Sequence, residues 1–470
     1  MAFRFEEFVF IGVHSRLKFS MALPDLIEIV PLDKPVRAEI TVPGSKSITN
    51  RALILAALAD GEVTLQGALW SEDTQIMVEC LQDLGFMVNV APDPDEVCNR
   101  TITVYGQGGK VPGGGTAENP LELFVGNAGT AARFLAALVC LGRGVYRLHG
   151  VPRMHERPQA ALFKALRELG YRVDSPNDKL PAIIFGGSSR RESAQTSKSE
   201  ISQSRLTSAA TVSIQESSQF ASALLLCAKH GGWKVEIVGE NAEESPYVTM
   251  TSKMVEGFPH RGGKFQIEPD ASSGSYFWGV TWLFERAGFS NEIIVYDWPR
   301  TESQWQLDAQ FRIYIGLGLN VGMKRVISRL NELADSIMTA IVLAPFAGQP
   351  IKFSDLGRLR VQECERVVAL RTELTKCGAK VVEEGDTLTV YPSKLHGAEI
   401  ETYNDHRMAM CFAILGLKVS GIKIKNPACV KKTFPNFFQK LAVPPPKGLG
   451  AEILDAKTRR KLKEGELFAE

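Results

Sequence analysis

The sequence predicts a two-domain α/β protein with internal repetition and a ligand cleft, on three observations. The chain has 470 residues, more than one hydrophobic core usually organises. Strand-like and helix-like stretches recur in the order strand, helix, strand, helix, strand, strand, which implies repeated structure without repeated sequence. Cationic residues stand at helix starts in both halves, and convergent charges on two halves suggest a cleft that closes on an anion.

Composition narrows the function. Hydrophobic residues make up 44% and charged residues 23%, the balance of an ordinary globular protein. The net charge of +1 provides no global field for nucleic acid or a membrane surface, so neither is expected as a partner. Anion binding must then come from local clusters. The 8 cysteines are scattered without a C-x-x-C pair or metal-like spacing, which fits free thiols in a reducing, cytoplasmic setting with no metal. No apolar run approaches a membrane span.

Residues 1–23 read as an N-terminal extension with no signal-peptide core, or Met21 is the start. Residues 27–42 alternate as strands do. PGSKSITNRALILAALA, Pro43 to Ala59, is then a turn feeding a helix, with Lys46, Ser47 and Arg51 at its start. A helix N-terminus offers free N–H groups, so this is either a phosphate or carboxylate pocket or a helix start with solvated cations. GEVTLQGAL is a strand and SEDTQIMVECLQDLG a helix stopped by Gly85, before the strands FMVNVAP and TITVYG.

The order then repeats. LELFVGNAGTAARFLAALVCL is strand, glycine loop and helix, where Gly126 and Gly129 permit close backbone approach to a ligand. PRMHERP, Pro152 to Pro158, carries Arg153, His155, Glu156 and Arg157 between prolines. It suits bidentate anion capture or a structural Arg–Glu pair. Ser188 to Thr211 is polar and Ser-rich and reads as a surface insertion. Ser217, Ser218 and Gln219 open the next helix with two hydroxyls and an amide. In the second half, Asp335 lies within an apolar segment. Glu363 and Arg366 are three residues apart, either an ion pair or an acid/base carboxylate beside an anion-binding arginine. Asp405, His406 and Arg407 open a Met/Ala-rich helix, and Lys432 sits on a loop closed by Pro435. From Val443 the chain is Pro-rich and charged and reads as a tail over 444–470.

Taken in order, PGSKSxxNRA, GNAGTAxR, PRMxERP, SSQF, DASS, NDHRMAM and KTFP resemble the EPSP synthase (3-phosphoshikimate 1-carboxyvinyltransferase) family over about residues 25 to 440. The likeness to UDP-GlcNAc enolpyruvyl transferases is more distant. GNAGTAAR and HERPQAAL look most like the fungal form. The resemblance implies the enolpyruvyl transferase fold, an inverse α/β barrel-like arrangement of two similar domains, each of three βαβαββ units. One domain would comprise 24–43 plus 269–443 and the other 44–268, with the crossing beside Lys46. It implies enolpyruvyl transfer from phosphoenolpyruvate to the 5-hydroxyl of shikimate 3-phosphate by addition and elimination, without metal or organic cofactor, in a monomer.

Carried over by motif, Lys46, Ser47, Arg51, Ser217, Ser218, Tyr247 and Asp335 are expected on the acceptor, with Asp335 as base. Lys46, Gly129, Arg153, Arg366, Arg407 and Lys432 are expected on phosphoenolpyruvate, and Gln219 on both ligands. Glu363 would handle the methylene proton; His406 and Asp270 would line the site. The acceptor side departs from the family pattern. Its Lys before the catalytic Glu is Gln362, its Asn four residues earlier is Arg358, and its Ser before Pro-Tyr falls at Glu244, with Ser245 displaced by one. Phe134 replaces the Pro usual in bacterial and plant members. Losing that Lys removes a charge-assisted hydrogen bond of roughly 1.5–3 kcal/mol, which Arg358 would restore from one turn away. Three functions follow: an EPSP synthase with a rebuilt phosphate pocket, a related transferase with another cyclic acceptor, or a homologue that binds without turnover.

Overall fold

The computed structural model describes residues 23–187, 208–239, 246–286, 288, 292–299, 305–318 and 326–469. Two hydrophobic cores organise them. One is built from residues between Ile48 and Ile267, the other from Leu23 to Val42 together with Tyr276 to Ala469. The chain passes between them twice, side by side. Gly44 and Pro269 form an antiparallel bridge there, Ser45 N donates to Glu268 O at 2.8 Å and Asp270 N to Pro43 O at 2.9 Å.

Strands are numbered along the chain. Four sheets repeat one pattern, a parallel pair followed by two antiparallel neighbours. In the first core these are β12 (Gly263–Gln266), β3 (Asp60–Leu69), β5 (Asn99–Gln107) and β4 (Val88–Pro92), then β6 (Leu121–Phe124), β7 (Val145–His149), β9 (Ala182–Phe185) and β8 (Arg172–Asp174). In the second they are β14 (Val326–Ser328), β15 (Ile351–Ser354), β17 (Thr387–Val390) and β16 (Val381–Glu384), then β18 (Glu399–Ile400), β19 (Lys423–Lys425), β1 (Leu26–Ile29) and β20 (Ile453–Asp455). Each core adds a parallel pair, β10 (Ser208–Ser213) with β11 (Trp233–Val238) and β2 (Arg37–Ile40) with β13 (Glu292–Val295). The repetition expected from the sequence is therefore a repetition of sheet order.

Two boundaries differ from expectation. Residues 444–470 are not a detached tail. β20 takes the edge position of the fourth sheet that β4, β8 and β16 hold in the others, and Leu449, Ile453, Leu462 and Leu467 are buried. The strand is three residues long and follows a Pro-rich run, so it carries no periodic signal. The Ser-rich insertion, expected to reach Thr211, gives way to β10 at Ser208, where Ala210 and Val212 enter the core. The rest of the insertion and residues 1–22 lie outside the described residues.

Three helices fill each core: Lys46–Leu58, Gly129–Leu138 and Gln219–Gly231 in one, Ala271–Glu285, Ile337–Leu343 and His406–Gly416 in the other. Within each set they pack on one another. They are apolar on nearly all faces, as helices surrounded by sheet must be. Their apolar middles are buried, and polar side chains such as Lys46, Gln219 and Arg407 stand at their N-terminal ends.

Candidate active site

The N-terminal ends of these helices carry the charged motifs to one place. Lys46, Gly129 and Gln219 are first residues of the three helices in one core; Asp335 directly precedes the Ile337 helix, and His406 begins the last. A cavity of about 160 Å³ lies between the halves. Lys46, Ser47, Arg51, Ser217, Ser218, Gln219 and Tyr247 line one wall; Asp335, Arg358, Gln362, Glu363, Arg366, His406 and Arg407 line the other. A second cavity of about 550 Å³ adjoins it and shares Arg157, Gln362 and Glu363; Lys432 lies on its wall. In the first cavity Lys46, Arg51, Arg133, Arg157, Arg329, Arg358, Arg366 and Arg407 face only Glu216, Asp335 and Glu363. Eight cations against three carboxylates make this a receptor for ligands with several negative groups.

Glu363 sits where the two cavities meet. Its carboxylate is 2.8 Å from Arg366 Nη2 and 3.4 Å from Lys432 Nζ. Burial opposes its ionisation, but Arg366, Lys432 and Lys46 outweigh that and hold it well below the usual carboxylate range. Glu363 precedes the helix Arg366–Lys376, so the pair closes the helix entrance instead of running along the helix face. Arg366 is 1% exposed and fully partnered: Nε donates to Asp405 Oδ2 at 2.7 Å, Nη2 to Asp405 Oδ1 at 3.2 Å, and Nη1 to Gln362 Oε1. Burial would lower its pKa, yet Asp405 and Glu363 raise it, so it stays a fixed cation. Burial keeps the His406 imidazole well below its usual pKa, and Arg407 and Lys46 add to this; it is a neutral ring whose Nδ1 has no hydrogen-bond partner among the described residues, Asp405 Oδ1 lying 3.8 Å away. Lys46 Nζ pairs with Asp73 Oδ2 at 3.0 Å.

At the other end Asp335 is held on both oxygens. Oδ1 accepts from Arg329 Nη2 at 2.7 Å, and Oδ2 lies 3.4 Å from Arg407 Nη2 and from the Tyr247 hydroxyl. Burial works against its charge, but Arg407 and Arg329 prevail and keep it strongly acidic. Ala334 before it has φ of 42° and ψ of −122°, a strained backbone for a residue with a side chain. Arg51 is spent mostly on its own half: Nε donates to Thr251 at 2.7 Å, Nη1 to Ser47 O at 2.8 Å and Nη2 to Ser222 at 3.0 Å, and burial pulls its pKa down to about 10. Asp270 caps the Ala271 helix through Ser273 N at 2.7 Å.

Of the two arginines in PRMHERP, both line the second cavity and only Arg157 reaches the first as well. Arg153 is largely exposed and pairs with Glu156 within the short helix Pro152–Glu156. Arg157, at the end of the same motif, turns inward and donates to Asn127 O at 3.2 Å. Two arginines with equal claims in PRMHERP could be separated only by the helix that points them apart. Arg133 was missed as well. It is 2% exposed, donates to Gln219 Oε1 at 3.1 Å and Pro158 O at 3.1 Å, and is lowered to about 9 by burial and by Arg157. Its signal was present, one helical turn after Gly129. Both guanidinium groups lie where a Gly129 side chain would be: a Cβ there would stand 2.4 Å from Arg133 Nη1 and 2.7 Å from Arg157 Nη2. Arg329, also missed, follows a short strand with no motif around it. Glu244 and Ser245 lie outside the described residues.

A family model described as EPSP synthase (3-phosphoshikimate 1-carboxyvinyltransferase) matches residues 31–441. A 3-phosphoshikimate 1-carboxyvinyltransferase of Trichormus variabilis is 34% identical over 460 residues, covering 88% of this chain and 98% of that protein. One of Opitutus terrae is 36% identical over 452 residues, covering 90% and 98%. These relatives are bacterial and do not support the expected fungal character. Among solved structures, an EPSP synthase from Acinetobacter baumannii superposes with a TM-score of 0.66 at 20% identity, over 91% of this chain and 99% of that one. The enolpyruvyl transferase NikO from Streptomyces tendae gives 0.63 at 16%, over 94% and 99%. These two likenesses carry the fold.

Proposed function

The chain belongs to the EPSP synthase (3-phosphoshikimate 1-carboxyvinyltransferase) family, and from that premise we propose that its cleft transfers the enolpyruvyl group of phosphoenolpyruvate to the 5-hydroxyl of shikimate 3-phosphate. The observation that carries this reading is the pair of carboxylates, buried Asp335 and half-buried Glu363, set in one cation-lined cavity between the halves.

Phosphoenolpyruvate brings a carboxylate and a phosphate. Arg157, Arg366, Arg407 and Lys432 supply the cations for them, with Arg157 in the role first expected of Arg153. Asp335 accepts the proton of the acceptor hydroxyl as its oxygen bonds to C2, and C3 takes a proton by way of Glu363. The resulting ketal phosphate then loses a proton from C3 to the Glu363 carboxylate. The C2–O bond to phosphate breaks, and inorganic phosphate leaves with that electron pair. Lys46 stands on the wall opposite Glu363, where negative charge builds on both ligands. The reading places the chain in the cytoplasm as a monomer acting on small molecules; eight free cysteines support a reducing compartment. Among the described residues no helix is long and apolar enough to cross a membrane.

A second reading, a different cyclic acceptor, draws on one observation: Gln362 turns its amide oxygen to Arg366 and not to the acceptor wall. Phosphate release from phosphoenolpyruvate, measured with and without shikimate 3-phosphate, tests both. Release that depends on shikimate 3-phosphate is expected. Binding of phosphoenolpyruvate without release moves the function to another acceptor.

A further inference from the structure

Two arginines on the acceptor wall have one carboxylate near them, Asp335, which Arg407 already shares. Arg329 is 5% exposed; its Nη2 reaches Asp335, and its Nε has no partner among the described residues. Arg358 donates Nη2 to Ile214 O at 2.7 Å, and among the described residues no carboxylate forms an ion pair with it. The two repel one another, and burial with Arg329 nearby lowers the pKa of Arg358. Like charges held together out of water, one with an orphan N–H, are costly without a shared ligand. Across the cavity Ser217 and Ser218 bring hydroxyls, and Ser217 Oγ already accepts from Gln219 N, leaving its O–H to donate. Two planar guanidinium forks and two hydroxyls match the three terminal oxygens of a phosphate monoester.

We infer that Arg329 and Arg358 bind the phosphate of the acceptor, and that Arg329 leaves Asp335 to do so, so that the acceptor's own charge frees the carboxylate that takes its hydroxyl proton. The inference rests on the enolpyruvyl transfer proposed above and names the group its acceptor must carry. It gives the cavity a check on its substrate: an acceptor without the phosphate leaves Arg329 on Asp335, and the base stays occupied. Gln362 is not needed for the phosphate, because two arginines exceed the charge of the lysine it replaces.

The test uses the full chain with Arg329→Gln, Arg329→Lys and Arg358→Gln, each checked for wild-type melting. KM for shikimate 3-phosphate should rise about ten- to a hundredfold in both glutamine variants, the loss of one charge-assisted bond. KM for phosphoenolpyruvate should stay within about twofold. Arg329→Lys should recover part of the loss. With unphosphorylated shikimate, Arg329→Gln should raise kcat above wild type, because the base is no longer held. Unchanged KM for shikimate 3-phosphate in folded variants, with wild type active, overturns the inference while enolpyruvyl transfer stands. If wild type does not turn over shikimate 3-phosphate, the proposed acceptor fails on its own. Calorimetry with inorganic phosphate then decides: weaker binding in both glutamine variants supports the two-arginine site, and equal binding overturns it. Should Arg329→Gln fail to fold, the partly exposed Arg358 carries the test.

Discussion

Replacing Lys440 by Met tests how firmly the two halves are joined away from the cleft. Glu96 belongs to the first core and is 4% exposed. Its Oε2 is 2.7 Å from Lys440 Nζ and accepts from Thr41 Oγ1 at 2.7 Å; its Oε1 accepts from Asn436 Nδ2 at 2.7 Å and Cys98 N at 3.2 Å. Lys440 also donates to Thr41 Oγ1 at 2.7 Å, so the hydroxyl relays between ammonium and carboxylate. Thr41, Asn436 and Lys440 come from the second core's side of the chain. Breaking a buried pair from one end costs 3–5 kcal/mol, because a charge is left unpaired. Three neutral donors remain on Glu96, which places Lys440→Met near the lower end, about 3 kcal/mol. Adding Glu96→Gln removes the stranded charge, so the double variant should be more stable than Lys440→Met alone by about 1 kcal/mol or more. The assay is urea unfolding followed by fluorescence and circular dichroism, since two cores need not unfold together. A loss under about 1 kcal/mol for Lys440→Met, or a double variant worse than the single, would refute the claim that the pair is desolvated and joins the halves.

Arg157→Gln should raise KM for phosphoenolpyruvate about tenfold or more, while Arg153→Gln leaves it within about twofold; equal effects would show that orientation does not separate them. Gly129→Ala puts a Cβ 2.4 Å from Arg133 Nη1 and 2.7 Å from Arg157 Nη2. It should displace both guanidinium groups and weaken phosphoenolpyruvate more than the acceptor, as KM measured for each substrate would reveal. Asp308 is buried beside Asp335, and its carboxyl is raised to about 7, burial first and Asp335 second. A raised folded pKa means that its contribution to stability is complete below the unfolded value and is lost as pH rises through about 7, by up to about 4 kcal/mol. Asp308→Asn keeps the acceptor for Ser336 N, which lies 2.6 Å from Asp308 Oδ1, and carries no charge. Its melting temperature should gain on wild type as pH rises from about 4 to about 7 and hold that gain at higher pH, and a flat difference across that window would contradict the shift.

The site was legible wherever chemistry coincides with a helix start. Lys46, Gln219, Asp335 and His406 are marked by a turn or polar pair ahead of an apolar run, and the structure delivers each to the cavity because all-apolar helices have only their ends to present. What the sequence lacked was direction. Arg153 and Arg157 share a motif, and the short helix at Pro152 decides which faces in. Arg329 carries no local mark, because its meaning comes from Asp335 six residues on and from Arg358 across the wall. β20 was hidden for a related reason: an edge strand of three residues owes its place to the vacancy in a repeated sheet and not to its own pattern.

The charge layout constrains the order of events on the proposed reading. Both carboxylates that must exchange protons are clamped by cations, Asp335 by Arg329 and Arg407, Glu363 by Arg366 and Lys432. Those partners hold both carboxyls too acidic to retain a proton near neutral pH. A base so acidic is weak, and an acid so acidic is already spent. Of these cations, Arg366, Arg407 and Lys432 are the ones a phosphoenolpyruvate phosphate and carboxylate would claim. Each negative group that enters therefore draws cations from a carboxylate and raises its proton affinity toward the working range. Arg366 cannot be drawn far, since Asp405 holds it on two nitrogens. Lys432, at 3.4 Å with a single bond to Glu363, is the cation free to move. The proton affinity of Glu363 should then depend on whether Lys432 has turned to the ligand, which links phosphoenolpyruvate binding to the acid–base step through one side chain.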